Sequence, residues 1–313
     1  MSVFDAFQPF QEKRIIKSVV RMNSNSEKLL SEYLAARFTY RTNSQWLKEI
    51  TDGRLLINGI RIDTDTFISD GMELTYEFAE HDEPECDLTY ELLGADENFI
   101  CVAKSGNLPT HPAGRYYKNT LWYLLQHDFG ACAPINRLDR ETSGIILFAR
   151  NPAAAAAFSK IPIQKKYLVI VHGDFVEQVD AKGFIFKDNE SLIRKKRTFS
   201  FDAPDKIPYE TCHTRFRCIE RKHGLSLLEA ELVTGRTHQI RATCCSLGFP
   251  VAGDKMYGVD ETIFLRYIAG ALTAEDYSRL IYHRQALHAY SLSFKNPSDG
   301  KTMNFEADFP LKI

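Results

Sequence analysis

The chain has 313 residues, a mass of 35.8 kDa, 44% hydrophobic residues and a formal net charge of −2. This length allows one large and one small domain, and the near-neutral charge argues against a protein that coats nucleic acid indiscriminately. No apolar run reaches the roughly 18 residues of a membrane span, and the N-terminus lacks a signal-peptide pattern, so we expect a soluble cytoplasmic protein. The 7 cysteines show no C-x-x-C spacing, which indicates neither a disulfide framework nor a zinc site.

Charge is distributed unevenly along the chain. Residues 82–97 are acidic, whereas residues 160–250 contain basic clusters, including residues 194–197 and the arginines between positions 215 and 221. Each cluster alone is more often a solvated patch than a phosphate-binding track, and the sequence does not say whether the clusters share one face.

Turn signals and composition divide the chain into four segments. The small domain should contain two helices, the second capped by Thr42 or Asn43, followed by a hairpin that turns at Asn58-Gly59. The predicted segments are an N-terminal extension without a clear period (1–19), a small αβ domain (20–78), an acidic linker (79–88) and a large domain (89–313).

The large domain is expected to begin with a hairpin over residues 90–104, followed by a loop in which His111 is an anchoring residue. Asn119 is predicted to cap a helix that ends at Gly130. Asn151-Pro152, followed by an alanine run, predicts the start of another helix.

Residues 135–149 contain the most distinctive cluster of charges. Asp139 lies between Arg137 and Arg140 and is followed by Thr142-Ser143-Gly144 and an apolar strand. A carboxylate held between two guanidiniums stays ionised. An isolated Arg-x-Asp-Arg is more often a surface turn with solvated charges, but the longer string favours a functional site.

A second distinctive segment covers residues 232–241. It predicts a strand that ends at Gly235, a helix cap at Thr237, and a helix that runs to Leu247 with Gly248 beyond its end. On this helix Arg241 lies near the start on a face of its own, from which it can reach across a cleft.

These segments resemble the motifs of the RluA-type pseudouridine synthases over roughly residues 20–310, nearly the whole chain. The matching strings are Arg137-Leu138-Asp139 with Thr142-Ser143-Gly144, Lys165-Lys166-Tyr167, and Gly235-Arg236-Thr237-His238-Gln239-Ile240-Arg241. The resemblance implies an α+β fold with a mixed, largely antiparallel central sheet, flanking helices and an active-site cleft. The small αβ domain resembles the alpha-L RNA-binding module.

The resemblance also implies an activity, the isomerisation of uridine to pseudouridine in ribosomal or transfer RNA. In this reaction the N1–C1′ bond breaks and C5 joins C1′, and neither a metal nor an organic cofactor takes part. The implied catalytic residues are Asp139, acting at the ribose, Arg241, pairing with it, and Tyr167, stacking on the uracil. Candidate RNA-binding residues are Arg137, Arg140, Thr142, Lys165, Lys166, Arg236, His238 and Gln239. Arg137 and Arg140 would either hold phosphates or brace the loop.

Several alternatives stay open in the sequence. Without the resemblance, Tyr167 is a half-buried strand aromatic, and Asp139 can act as either a nucleophile or a base. A catalytically silent RNA-binding factor on the same fold is one rival function. A zinc base deaminase is another, but its Pro-Cys-x-x-Cys signature is missing. We expect a monomer, a structural role for His288, and large-subunit ribosomal RNA in preference to transfer RNA.

Overall fold

The computed structural model describes residues 7, 12–22, 27–38, 41–79 and 83–313. The chain divides into two compact units, Pro9–Glu83 and a larger unit that includes Pro84–Ile313. Residues 1–6 and 8–11 of the predicted N-terminal extension and residues 80–82 of the predicted linker lie outside the described residues.

The smaller unit contains six short strands and two helices among its described residues. Four strands form an antiparallel sheet in the order β1-β6-β3-β4, and β2 pairs with β5. The elements are β1 (Ile15–Val19), β2 (Lys28–Leu29), α1 (Leu30–Arg37), α2 (Asn43–Thr51), β3 (Leu55–Ile57), β4 (Ile60–Ile62), β5 (Phe67–Ile68) and β6 (Glu73–Glu77).

Local signals in this unit are confirmed. The Thr42 side chain accepts a hydrogen bond from Gln45 N and the Gln45 side chain accepts one from Thr42 N, which forms a capping box. The β3–β4 hairpin turns at Asn58 and Gly59, both with positive φ. One difference is β1, which the sequence placed in the extension; as an edge strand it is stabilised by backbone pairing with β6 and needs little hydrophobic pattern.

The larger unit is built on a sheet of eleven strands among the described residues. Its strands are β7 (Tyr90–Ala95), β8 (Phe99–Lys104), β9 (Ala133–Pro134), β10 (Ser143–Ala149), β11 (Ile163–His172), β12 (Gln178–Lys187), β13 (Arg197–Ser200), β14 (Tyr209–Lys222), β15 (Leu225–Leu232), β16 (Leu287–Lys295) and β17 (Thr302–Glu306). Its helices are α3 (Leu121–Phe129), α4 (Pro152–Phe158), α5 (Gln239–Ser246), α6 (Thr262–Ile268) and α7 (Ala274–Leu280).

Nine of these strands follow the order β13-β12-β14-β15-β11-β16-β10-β8-β7, with β17 beside β16 and β9 beside β10. All neighbours are antiparallel except β10 and β16, which are parallel. The predicted α+β fold with a mixed, largely antiparallel sheet is therefore confirmed. None of the helices in the described part of the chain is long and apolar enough to cross a membrane.

Strand β10 is buried on both faces, which explains its uninterrupted apolar sequence. Ile146 and Phe148 belong to the core cluster that also contains residues of α3 and α5. Ile145 and Leu147 belong to the cluster on the other face, beside Phe158 of α4. The strand thus fixes the loop that precedes it, where Asp139 lies, against two packed layers.

The helix starts in this unit test two predictions. Asn151 caps α4 as predicted, since its side chain accepts a hydrogen bond from Ala154 N. The predicted cap at Asn119 is wrong: Thr120 is extended and accepts the bond from Tyr123 N. Asn119 instead donates to the Pro84 carbonyl at 3.0 Å, a contact that local sequence does not indicate.

Gly144 is required by the parallel pairing of β10 with β16. Its φ is +106°, and a Cβ at this position would lie 2.2 Å from the Ala289 carbonyl oxygen. We expect Gly144→Ala to lower the free energy of unfolding by at least about 3 kcal/mol, because backbone strain and a backbone clash add. Urea unfolding measures this directly.

Gly224→Ala is the matched control for this prediction. Gly224 also has a positive φ, but a Cβ there meets nothing within 4 Å, so only the left-handed backbone costs about 1 kcal/mol. Equal losses of stability in the two variants would mean that the close approach of β10 to β16 contributes nothing.

Candidate active site

Asp139 lies in a tightly held loop between β9 and β10. The Arg140 carbonyl accepts hydrogen bonds from Asn107 N, Leu108 N and Lys104 Nζ, at 2.9, 3.1 and 3.1 Å. On the other side of Asp139, the Thr110 hydroxyl donates to the Leu138 carbonyl at 2.8 Å. The loop that carries Lys104 and Thr110 therefore fixes the backbone on both sides of the carboxylate.

Arg241 of α5 joins two carboxylates. Its Nε and Nη2 donate to Asp254 Oδ2 and Oδ1 at 2.5 and 2.8 Å, and its Nη1 donates to Asp139 Oδ2 at 2.6 Å. Asp254 is 1% exposed, and its Oδ1 also accepts the backbone N–H groups of Met256 and Tyr257. Because Asp254 holds the guanidinium by two bonds, the remaining edge of Arg241 presents a fixed donor to Asp139.

The electrostatics keep Asp139 ionised. Burial disfavours its charged form, but the charge of the Arg241 guanidinium and hydrogen bonds from Arg241 and Gln285 outweigh burial, and the pKa of Asp139 is lowered from its usual value. Its second oxygen, Oδ1, lies 3.8 Å from His238 Nε2. The Asp139 side chain is 33% exposed, so the carboxylate remains accessible from the cavity that it lines.

The two arginines that flank Asp139 in sequence take different positions in the structure. Arg140 turns away from the carboxylate, and its guanidinium donates to the hydroxyls of Tyr116 and Tyr267 and to Glu141. Arg140 therefore braces the loop, and the guanidinium that bonds Asp139 belongs to Arg241. Arg137 is exposed and lines the cavity.

The start of α5 also differs from the prediction. The N-cap residue of α5 is His238, whose backbone is left-handed, with φ 58° and ψ 19°. Because the chain enters the helix through this residue, Thr237 makes no cap hydrogen bond. The Gln239 amide organises this turn by accepting from Arg236 N and the Thr234 hydroxyl and donating to the His213 carbonyl and the Thr214 hydroxyl. Gln239 therefore fixes the turn from which α5 begins.

Tyr167 and Lys165 of β11 line the same cavity as Asp139, whereas Lys166 pairs with Glu229 at 3.6 Å outside it. The register of β11 against β16 shifts between Lys166 and Tyr167, a bulge of the kind that redirects side chains beside active sites. Tyr167 is 5% exposed, and burial together with the charge of Asp139 raises its pKa. The phenol thus stays protonated and can offer a ring surface or a proton, but not a phenolate.

The cavity has a volume of about 810 Å³ and one strongly basic side. Arg194 and Lys195 are exposed and make no ion pair among the described residues, whereas Lys196 pairs with Glu261 at 2.6 Å and Arg197 with Glu210 at 3.1 Å. We call this side the basic rim; its members are Lys187, Arg194, Lys195, Lys196, Arg197 and Arg236.

The second basic cluster of the sequence does not contribute to this rim. On β14, Arg215, Arg217 and Arg221 pair with Glu231, Glu229 and Glu177 at 3.3, 3.2 and 2.9 Å. None of the three arginines lines the cavity. Their charges are locally compensated, so they form a solvated face and not a phosphate track.

Sequence reasoning missed several groups that build the site. Asp254 and Tyr257 were visible only as part of a glycine-flanked string, and Gln285, which donates to the Thr142 hydroxyl, gave no signal.

Lys104 is buried, which lowers its pKa to about 7, and its ammonium donates hydrogen bonds to the Ser105 and Arg140 carbonyls. Thr142 is 2% exposed and is held by Gln285, so it supports the loop.

An ionised carboxylate with one oxygen fixed by an arginine, in a cavity with a basic rim and a buried tyrosine, suits nucleophilic or base chemistry on a nucleic acid. Fold and site together indicate an α+β enzyme that acts on nucleic acid.

Comparison with known proteins specifies this class further. Residues 98–246 match the family model described as RNA pseudouridylate synthase. The ribosomal large subunit pseudouridine synthase D of Zymomonas mobilis is 32% identical over 74% of this chain and 72% of its own length. The mitochondrial tRNA pseudouridine(32) synthase of Saccharomyces cerevisiae is 28% identical over 75% of this chain and 51% of its own length.

The solved structure of human RNA pseudouridylate synthase domain containing 1 has the same fold, with a TM-score of 0.56 over 73% of this chain and 87% of that one at 22% identity. Across three curated relatives, the match spans 51% to 72% of their length. The chain belongs to the RNA pseudouridine synthase family, whose members are isomerases that act on uridines in RNA.

Proposed function

We propose that this protein converts specific uridines of large-subunit ribosomal RNA into pseudouridine, with Asp139 as the group that acts at the ribose. The observation that carries the proposal is the asymmetry of the Asp139 carboxylate: Arg241 fixes Oδ2 at 2.6 Å, while Oδ1 faces the cavity-lining His238 across 3.8 Å. The ribosomal substrate is favoured by the 32% identical relative, whose name specifies the large ribosomal subunit.

The reaction is an isomerisation, so its atoms balance without a second substrate. The bond from N1 to C1′ breaks, C5 forms a new bond to C1′, C5 loses its proton and N1 gains one. Asp139 either adds to C1′ or removes a proton from C2′ to start this sequence. Tyr167, protonated and buried in the same cavity, supplies the surface on which the detached uracil turns.

The target uridine has to leave its stack to reach Asp139, because the carboxylate lies inside a cavity lined by folded elements. We propose that the basic rim holds the phosphates on either side of the flipped nucleotide. The exposed positions of Arg194 and Lys195 support this role, and the smaller N-terminal unit would add RNA contacts of its own. We also propose that the protein acts as a cytoplasmic monomer, since one chain supplies Asp139, Arg241 and Tyr167.

Pseudouridine mapping tests the proposal. Total RNA from cells with and without the gene is treated with carbodiimide, and reverse-transcription stops are compared. We expect one or a few stops in large-subunit ribosomal RNA to vanish in the deletion and to return with the wild-type gene but not with Asp139→Asn. Loss of stops in transfer RNA alone would show that the substrate is transfer RNA and not ribosomal RNA. An unchanged map would support the silent RNA-binding alternative.

The basic rim gives a separate prediction. The double variant Arg194→Ala, Lys195→Ala should raise KM, leave kcat unchanged and reduce the slope of log Kd against log salt by about 2, because each of the two cations neutralises one phosphate in the wild type. Filter binding at several salt concentrations and initial rates measure these quantities.

A matched double variant, Arg217→Ala with Arg221→Ala, removes the same charge from β14, where both guanidiniums pair with glutamates. It should leave the salt slope nearly unchanged. Equal slopes for the two double variants would show that the rim holds no phosphate.

A further inference from the structure

The side chain of His238 has no part in capping α5. His238 is the N-cap residue of this helix and has a left-handed backbone, but its imidazole makes no cap hydrogen bond. The imidazole lies in the cavity instead, between the Tyr257 hydroxyl and Asp139. Backbone strain is concentrated at functional sites, so the left-handed conformation of His238 indicates a functional role for its side chain in the cavity.

The hydrogen bonds of Tyr257 define the tautomer of His238. The Tyr257 side chain is fully buried, and its oxygen already accepts the Arg197 backbone N–H at 2.9 Å. Its own O–H needs an acceptor, and among the described residues the one in reach is His238 Nδ1, at 3.0 Å. Nδ1 is therefore the acceptor, and the imidazole proton resides on Nε2.

The charges around the ring agree with a neutral imidazole. Burial and the Arg241 guanidinium lower the pKa of His238, although Asp139 and Asp254 oppose the effect. Nε2 lies 3.8 Å from Asp139 Oδ1, which is too long for a direct hydrogen bond. In the other neutral tautomer, Nε2 carries no proton, and its lone pair would repel the lone pairs of the Asp139 carboxylate. The geometry therefore independently favours the Nε2–H form.

The gap between a donor and an ionised acceptor matches one hydroxyl group. A hydroxyl oxygen placed to one side of the line that joins them, about 2.8 Å from each, accepts a hydrogen bond from Nε2–H and donates one to Oδ1. On the ribose that Asp139 attacks or deprotonates, the 2′-hydroxyl is bonded to C2′, the carbon next to C1′, so it lies close to both possible sites of reaction.

We infer that His238 is a specificity-determining residue: its Nε2–H donates to the 2′-hydroxyl of the target ribose, and Tyr257 fixes the tautomer that allows this. The inference rests on the proposed function, because it places the target ribose at Asp139. His238 and Tyr257 would then let this site distinguish a ribonucleotide from a deoxyribonucleotide.

The test compares an RNA fragment containing the mapped uridine with the same fragment carrying 2′-deoxyuridine at that position. Wild-type enzyme should lose about tenfold or more in kcat/KM on the deoxy fragment, the effect of one buried hydrogen bond. His238→Asn tolerates the left-handed backbone but is too short to reach; it should be slower on the ribose fragment and discriminate less than about threefold. His238→Asn with the full wild-type discrimination would overturn the inference.

His223→Asn is the matched control, because His223 also has a positive φ (54°) but is exposed in the β14–β15 turn and does not line the cavity. It should keep wild-type discrimination. Tyr257→Phe should reduce discrimination in the wild-type background and change nothing further in His238→Asn, since the two act through one hydrogen bond. Independent, additive effects would contradict the coupling.

A spectroscopic measurement separates this inference from the proposed function. Nitrogen-proton correlation spectra of protein labelled at histidine, assigned through His238→Asn, should show His238 as the Nε2–H tautomer, and this form should lose dominance in Tyr257→Phe. The uridine fragment, but not the deoxy fragment, should shift the Nε2 resonance. An Nδ1–H tautomer overturns the inference even if pseudouridine forms, whereas failure of the proposed function appears as absent pseudouridine with any tautomer.

Discussion

Asp139→Asn is expected to form no detectable pseudouridine, a loss of at least about 10⁴-fold in kcat, while it folds normally and binds RNA as the wild type does. The amide is nearly the same size as the carboxylate but cannot attack C1′ or accept a proton from C2′. Arg241 keeps both bonds to Asp254, so the buried ion pair survives. Quantification of pseudouridine in digested RNA, with Kd and the unfolding midpoint measured alongside, checks all three statements.

Asp128→Asn is a suitable control, because this carboxylate lies on α3 outside the cavity and bonds Tyr90 and His127. It should retain full turnover. Residual activity of Asp139→Asn at the level of the control would remove Asp139 from the mechanism and leave the cavity as an RNA-binding site.

Arg241→Lys is the second variant for which we expect a large effect. The lysine ammonium carries the same charge but cannot hold Asp254 by two bonds and Asp139 by a third. We expect kcat to fall by about 10²-fold to 10³-fold and the free energy of unfolding to fall by about 3 kcal/mol, because Asp254 is left buried with an incomplete partner.

The pH dependence of this variant gives a second readout. In the wild type, Arg241 helps to lower the pKa of Asp139, so activity should persist as pH falls toward 5. Weaker pairing in Arg241→Lys raises that pKa, and the acid limb of the kcat profile should move to higher pH. Stopped-time assays from pH 5 to 8 measure the shift.

Arg236→Lys is the matched control for Arg241→Lys. Arg236 lies on the basic rim, with a side chain 40% exposed, and pairs with Glu210 at 3.5 Å. Its replacement should alter RNA binding slightly and leave the acid limb in place. A wild-type pH profile and stability in Arg241→Lys would contradict the role of the Asp139–Arg241–Asp254 chain.

The sequence predicted what short-range chemistry determines. The caps and turns at Thr42, Asn58-Gly59 and Asn151-Pro152 involve neighbours within a few residues, and all three are confirmed. The apolar strand predicted after Thr142-Ser143-Gly144 is also present, as β10. Each of these signals is complete within its own segment, so no tertiary contact is needed to interpret it.

The errors arose where a distant partner decides the outcome. Arg140 is adjacent to Asp139 in sequence, but Tyr267, 127 residues away, turns its guanidinium elsewhere. The Thr237 cap failed because Gln239, tied to His213 and Thr214 on β14, organises the turn before α5. Asp254 and Tyr257 gained their roles only when α5 packed beside them, which no spacing rule in the sequence encodes.

The central claim is that Asp139 drives a rearrangement in which the target base loses its C5 proton. RNA transcribed with uridine tritiated at C5 therefore offers the most direct measurement: tritium released into water by purified protein, using large-subunit ribosomal RNA as substrate. We predict release by the wild type, up to a whole number of equivalents per RNA, and none with Asp139→Asn. Binding of this RNA without any release of tritium would contradict the claim.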